Sequence, residues 1–218
     1  MKVNDRSATQ RPARRTQAQR TAETRSRLMA AGRRLFAQLP FAEVSTQAIV
    51  DAAGVTRGAL YHQFADKAAL FEAVYEEVEQ QLVAELAADI AAQAPSDPLA
   101  AMRAGARLFL QRCAAPDIHR IALLNAPAVL GWQRWREIGV EYGLGVIEAL
   151  LTQAIDEQAI PPQPVRPTAH MVLGALDEAA LYISRAEDAD RAREEMYAVC
   201  DRLIDGIAGR FTGGGSPQ

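Results

Sequence analysis

The chain has 218 residues, 49% hydrophobic and 23% charged, with a formal net charge of −3. That is enough for one substantial core, arranged as a small N-terminal module fused to a larger one. Cys113 and Cys200 lie too far apart to form a disulfide framework or a metal-ligand spacing, no uninterrupted apolar run of about 18 residues marks a membrane span, and the arginine-rich start lacks the apolar core of a secretory peptide, so a cytoplasmic protein is expected.

Residues 1–20 read as a disordered basic arm with Arg6, Arg11, Arg14, Arg15 and Arg20. The plain alternative is a solvated tail; the sharper one is an arm adding phosphate or minor-groove contacts. A first helix is predicted over 21–39. Leu28, Ala31, Leu35, Phe36 and Leu39 form its buried stripe, and Arg25, Arg33 and Arg34 its outer face. Residues 45–67 then read as two short helices joined by a tight turn. Ser45 and Thr46 cap the first, which buries Ile49, Val50 and Ala53. Gly54 sits where the chain turns into the left-handed region. Thr56 caps the second helix, which buries Leu60 and presents Arg57, Gly58, Ala59, Tyr61 and His62. Small residues beside an arginine and a tyrosine suit a surface that approaches a DNA groove closely.

A long helix opens at Lys67 and runs to about Ile90, connecting head to body. Pro95 and Pro98 break the chain. Helices follow over 99–113, from Pro116, and through Trp132, Trp135 and Tyr142 to about Gln158. Four prolines over 160–167 mark a loop, and the last helices are predicted over 168–185 and 188–211. The tail 212–218 should be flexible. The expected fold is all-α with about nine helices. A helix-turn-helix DNA-binding domain spans 21–66, and a ligand-binding and dimerisation domain spans 67–211.

Charge follows the same division. Residues 1–70 hold 12 Lys+Arg against 5 Asp+Glu, whereas residues 71–218 hold 12 against 22. A basic head attracts phosphates, and an acidic body repels DNA and keeps the orientation correct.

The runs LFAQ and STQAIVDAAGVTRGALYHQFADKAALF resemble the TetR family of bacterial transcriptional repressors. The AAGV-T-R-G-x-LY-x-x-F-x-x-K spacing is far more specific than a general helix-turn-helix pattern, and the strong resemblance covers 21–78. Beyond it, the body is similar in being all-helical and in its PAVLGWQRWRE run, which looks like one subgroup. The resemblance implies that Arg57 and Ala59 face base edges while Gly58 and Tyr61 pack on the groove and thymine methyls. Thr46, His62, Gln63 and Lys67 would hold phosphates. Two positions depart from the pattern. Gln63 stands where the family commonly has histidine, and Leu39-Pro40 stand where it has a turn glycine, so that turn must take another path.

Other constellations are weaker. Taken alone, Arg57 is an ordinary solvated charge; the turn, the basic head and Lys67 together favour DNA. His119 and His170 have no partner at metal spacing, so neither a metal nor a cofactor is expected. Core packing is the default for Trp132, Trp135 and Tyr142, but core aromatics can also line a cavity. The pocket candidates are Phe109, His119, Leu123, Asn125, Trp132, Asp177 and Tyr182. Asp177 lies in the apolar run MVLGALDEAALYI and needs a partner: a cationic or hydroxylated ligand, or Arg134 or Arg136. There is no G-x-S-x-G, Walker loop or H-E-x-x-H, so an enzyme is not expected.

The expected protein is a homodimeric, ligand-responsive DNA-binding regulator, a repressor released from a near-palindromic operator by a small molecule. The apolar stripe of the last helix and the family resemblance place dimerisation on the last two helices. The alternative is an effector-independent DNA-bound interaction or chromosome-organising protein, distinguished by a packed core without a cavity.

Overall fold

The computed structural model describes residues 16–209, which form nine α-helical segments with no strand among them. Helix α1 spans Gln17–Gln38. It starts within the stretch expected to be a disordered arm, because Thr16 and Gln19 form a reciprocal capping box that satisfies two orphan backbone donors. The rest of that arm and the tail expected over 212–218 lie outside the described residues. The turn after α1 takes an extended path: Leu39 sits at φ −126° and Pro40 at φ −55°, leading into a 3₁₀ turn at Phe41–Glu43. Proline can adopt that geometry, so no glycine is needed.

Helices α2 (Thr46–Ala53) and α3 (Arg57–Gln63) follow. Ser45 and Thr56 cap them by accepting from Ala48 N and Ala59 N. Between them Gly54 adopts φ +60° as the α2 C-cap. The left-handed conformation favours glycine there, and the space beside it is taken by the Arg27 guanidinium, whose Nη2 donates to Gly54 O at 2.8 Å. Helix α4 (Lys67–Gln93) is capped by Asp66, and α5 (Pro98–Cys113) by Asp97 with proline in its first turn. One turn, α6 (Pro116–Ile118), leads into a π-helical segment over His119–Asn125, then into α7 (Ala126–Asp156), α8 (Val165–Arg185) and α9 (Ala189–Ile207).

Residues 116–156 are apolar enough by composition to suggest a membrane span. The π-helical segment and Gly131, at φ +78° and ψ 159°, break them. Arg134, Arg136 and Glu137 are also ion-paired to neighbouring helices or along α7. This is a body helix of a globular fold.

Two apolar clusters organise the packing. One is continuous from head to body: Leu28, Ile49 and Leu60 join Phe71, Val74 and Val78 of α4, and these join Ile121, Trp135 and Ile138. The other holds the far end of the body, with Leu99, Met102, Leu144, Leu151, Leu173 and Ile204. Ion pairs bind helix to helix around them: Arg112 to Glu85 and Asp89, Arg134 to Glu72 and Glu76, and Arg103 to Asp205.

Candidate functional site

Helix α3 presents its polar side outward. Leu60 is fully buried and Phe64 nearly so, which fixes the helix against the head core. Arg57, Gly58, Tyr61 and His62 are exposed, while Ala59 and Gln63 are half-buried. The Arg57 guanidinium lies 5.9 Å from the Tyr61 ring centroid. A cation held beside a ring keeps its donors directed outward while losing little side-chain freedom. Thr46 is the first residue of α2, and Thr56 is committed to capping α3.

Lys67 has a structural task that its sequence context did not reveal. Its Nζ donates to Phe41 O and Val44 O, both at 2.8 Å, and lies 4.1 Å from the Phe41 ring centroid. Burial lowers its pKa from the usual value. Two of its three donors therefore close the turn between α1 and α2, leaving one for a phosphate.

Inside the body, α4, α5, α7, α8 and α9 line a cavity of about 450 Å³ that is partly open to solvent, with exposed Met171 and Leu203 in its wall. Its wall is apolar apart from a few groups. Tyr75 and Glu79 of α4 and Asp177 of α8 are the main polar ones. The Asp177 carboxylate pairs with Arg136, one of the two arginine alternatives to a ligand partner. Burial still raises Asp177 to about 6, with Arg136 opposing the rise. Glu79 is raised to about 7, chiefly by burial and further by Asp177, with the nearby Tyr75 hydroxyl opposing. Glu79 retains some accessible surface, but that surface lines the cavity. Burial together with the neighbouring Glu79 raises the Tyr75 hydroxyl, and burial raises the Cys113 thiol.

Three expected pocket residues, Phe109, Leu123 and Asp177, line the cavity. Four do not. Trp132 is 58% exposed and Tyr182 is 48% exposed. Trp132 and Trp135 both follow the break at Gly131 and their rings lie 4.8 Å apart, but Trp132 is the outer, exposed member of that pair. Trp135 is the lining tryptophan, with its Nε1 donating to Ala122 O. His119 lies half-buried in the π-helical segment, away from the cavity wall. Asn125 faces the head: its Oδ1 accepts from Phe41 N at 3.2 Å and its Nδ2 donates to Phe36 O at 3.3 Å. Arg33, expected on a solvated face, reaches Gln81 and Asp117 of the body. These ties were illegible because each joins residues far apart in sequence.

Two family models match the chain: bacterial regulatory proteins of the tetR family over residues 28–74, and the Tetracyclin repressor-like C-terminal domain over 99–207. The chain belongs to the TetR family of transcriptional regulators. Among solved structures it is similar to a TetR-family transcriptional regulator from Pectobacterium atrosepticum, with 29% identity and a TM-score of 0.77 over 89% of this chain and 98% of that one. It shares the fold of RolR in complex with resorcinol, at 17% identity and TM-score 0.69 over 91% and 99% of the two chains. It also shares the fold of FadR from Bacillus subtilis in complex with stearoyl-CoA, at 16% identity and TM-score 0.64 over 85% and 98%. No curated protein matches the sequence.

Proposed function

We propose that this regulator is a homodimeric repressor that binds a near-palindromic operator through α3 and is released when a small molecule occupies the body cavity. Arg57 and Ala59 would read base edges, and Gly58 and Tyr61 would pack on the groove. Thr46, His62, Gln63 and the remaining Lys67 donor would hold phosphates, with Thr56 fixing the start of α3. Two copies of α3 in successive major grooves require a separation of about 34–36 Å. The surface of α8 and α9 supports dimerisation there. Tyr182 of α8 is an exposed large apolar side chain there, while the exposed Met171 of α8 and Leu203 of α9 belong to the cavity lining.

The observation that carries this reading is the cavity itself, lined by the same α4 that packs against the head. A ligand can shift the equilibrium only by binding two conformers differently. Here a change around the cavity has two routes to the head: along α4, and through the π-helical segment, whose Ala122 and Leu123 line the cavity while Asn125 grips Phe36 and Phe41. A cavity of this size argues against the effector-independent alternative, which a packed core would have favoured.

The test is a footprint of the purified protein on DNA upstream of its own gene at two salt concentrations. A protected palindrome that weakens steeply with salt is the expected result. Uniform, salt-sensitive coverage with no protected palindrome would contradict operator binding at that site.

A further inference from the structure

The cavity holds more acid than its walls neutralise. Glu79 and Asp177 both line it, and Arg136 is paired with Asp177. The Tyr75 hydroxyl, which donates to Trp135 O at 3.5 Å, lies near Glu79 and favours its ionised form, and no cation pairs with Glu79 among the described residues. The titratable groups around it are Tyr75 on α4, Cys113 on α5 and Asp177 on α8, with Arg136 of α7 behind Asp177. When all are ionised in their usual sense, one negative charge is left without a counter-charge in an apolar, partly open cavity. Such an arrangement is costly unless something entering the cavity supplies the partner. The rest of the wall says what that something must look like. Leu82, Val83, Leu86, Val146, Ile147 and Leu150 offer only apolar contact. At Gly139, which also lines the cavity, an added Cβ would meet nothing within 4 Å, so α7 leaves free width there.

The geometry points to a lipophilic amine as the effector class, its ammonium set against the Glu79 carboxylate and its apolar body lying along the α4–α7 wall. This rests on the reading of the cavity as an effector site. The chemistry is a proton exchange. With the cavity empty, Glu79 at about 7 is partly protonated at neutral pH. A cation binding beside it favours the carboxylate, so the Glu79 proton leaves to solvent as the ammonium arrives. Affinity for an amine therefore rises with pH through that range and levels off above it. A neutral molecule of the same shape shows no such rise.

The test uses three probes of one shape, 4-phenylbutylamine, 4-phenylbutanol and 4-phenylbutyrate, titrated calorimetrically into the full-length protein at pH 6 and pH 8. The amine is expected to bind about tenfold more tightly than the alcohol at pH 8, the scale of one charge-assisted hydrogen bond. It should lose most of that preference at pH 6. Glu79→Gln should remove both the preference and its pH dependence while leaving the alcohol's affinity within about twofold. Gly139→Leu, which fills the free width, should weaken all three and so locate binding in the cavity. Equal or tighter binding of the alcohol or the carboxylate to the wild-type protein overturns the amine. That outcome leaves the effector cavity standing. If none of the three binds, the amine proposal falls, while operator release by hits from a neutral hydrophobic library tests the effector reading separately.

Discussion

Lys67 and Arg57 are both cations of the head, yet the structure gives them different tasks and so different consequences on removal. Arg57 is exposed and contacts only the Tyr61 ring nearby. Arg57→Ala should leave the melting temperature unchanged and cost about 1–3 kcal/mol of specific operator binding, with discrimination relaxed at the base it reads. Fluorescence anisotropy on operator and scrambled duplexes checks this; equal losses on both would place Arg57 on phosphate instead. Lys67 closes the α1–α2 turn through Phe41 O and Val44 O. Lys67→Met keeps most of the stem and removes the donors. It should lower stability by about 1–3 kcal/mol in urea unfolding, because two carbonyls lose their partner. It should also weaken specific and non-specific DNA alike, since it shifts the head and removes a charge without touching a base.

The elements divide sharply into those readable from local sequence and those set by long-range packing. The helix-turn-helix is local: caps at Ser45 and Thr56, a left-handed Gly54 and a buried Leu60 lie within 16 residues, so the sequence alone places them. The cavity wall is not local. Trp132 and Trp135 share one side of α7, yet packing against α4 and α8 buries Trp135 at the cavity and leaves Trp132 exposed, so a helical wheel does not separate them. The π-helical segment has the same effect on His119 and Asn125. Its extra residue per turn, seen where Ala126 N donates to Ile121 O, rotates Asn125 towards Phe36 and Phe41. Asp177 was legible because a carboxylate in an apolar run must find a partner. Glu79 was not, because it sits among other acids at the edge of the apolar stripe of α4, and only the packing of α5, α7 and α8 turns it into a cavity wall. Asn125 now carries a prediction of its own. Asn125→Ala leaves the part-buried Phe41 N–H without its acceptor, a loss of about 1–2 kcal/mol. If the segment couples cavity to head, operator affinity and effector affinity, each measured alone, should change only a few-fold. The ratio of operator affinities with and without effector should fall towards one. An unchanged ratio would assign the coupling to α4 alone.

At the scale of the whole molecule the buried acids set how stability depends on pH. Glu79 rises from 4.5 to about 7 and Asp177 from 3.8 to about 6 on folding. Both folded values lie above the unfolded ones, so between about pH 4 and 7 the native state binds more protons than the unfolded chain. Stability must then fall as pH rises through that window, because its slope follows the difference in bound protons. At about 1.4 kcal/mol per unit, Glu79 alone is worth a few kcal/mol across the window. Below pH 4 these two groups contribute no further change, and above pH 7 their penalty is constant. Most acids act oppositely, being held charged by partners in the folded state, so the whole-protein profile is a sum with an acid-side loss from the surface ion pairs. Substitution isolates the cavity's part. Glu79→Gln removes the ionisation and should make the protein more stable than wild type at pH 8 while leaving the two nearly equal at pH 5, as read by urea midpoints at matched ionic strength. If the variant is no more stable at pH 8, Glu79 ionises without penalty in the folded protein, and the free charge attributed to the cavity is already compensated. If the gain appears, an apolar body carrying an uncompensated carboxylate is less stable empty than it could be, and a cation that neutralises it stabilises the occupied state by the same interaction. That stabilisation contributes to release from DNA only to the extent that the cation meets Glu79 better in the released conformer than in the DNA-bound one.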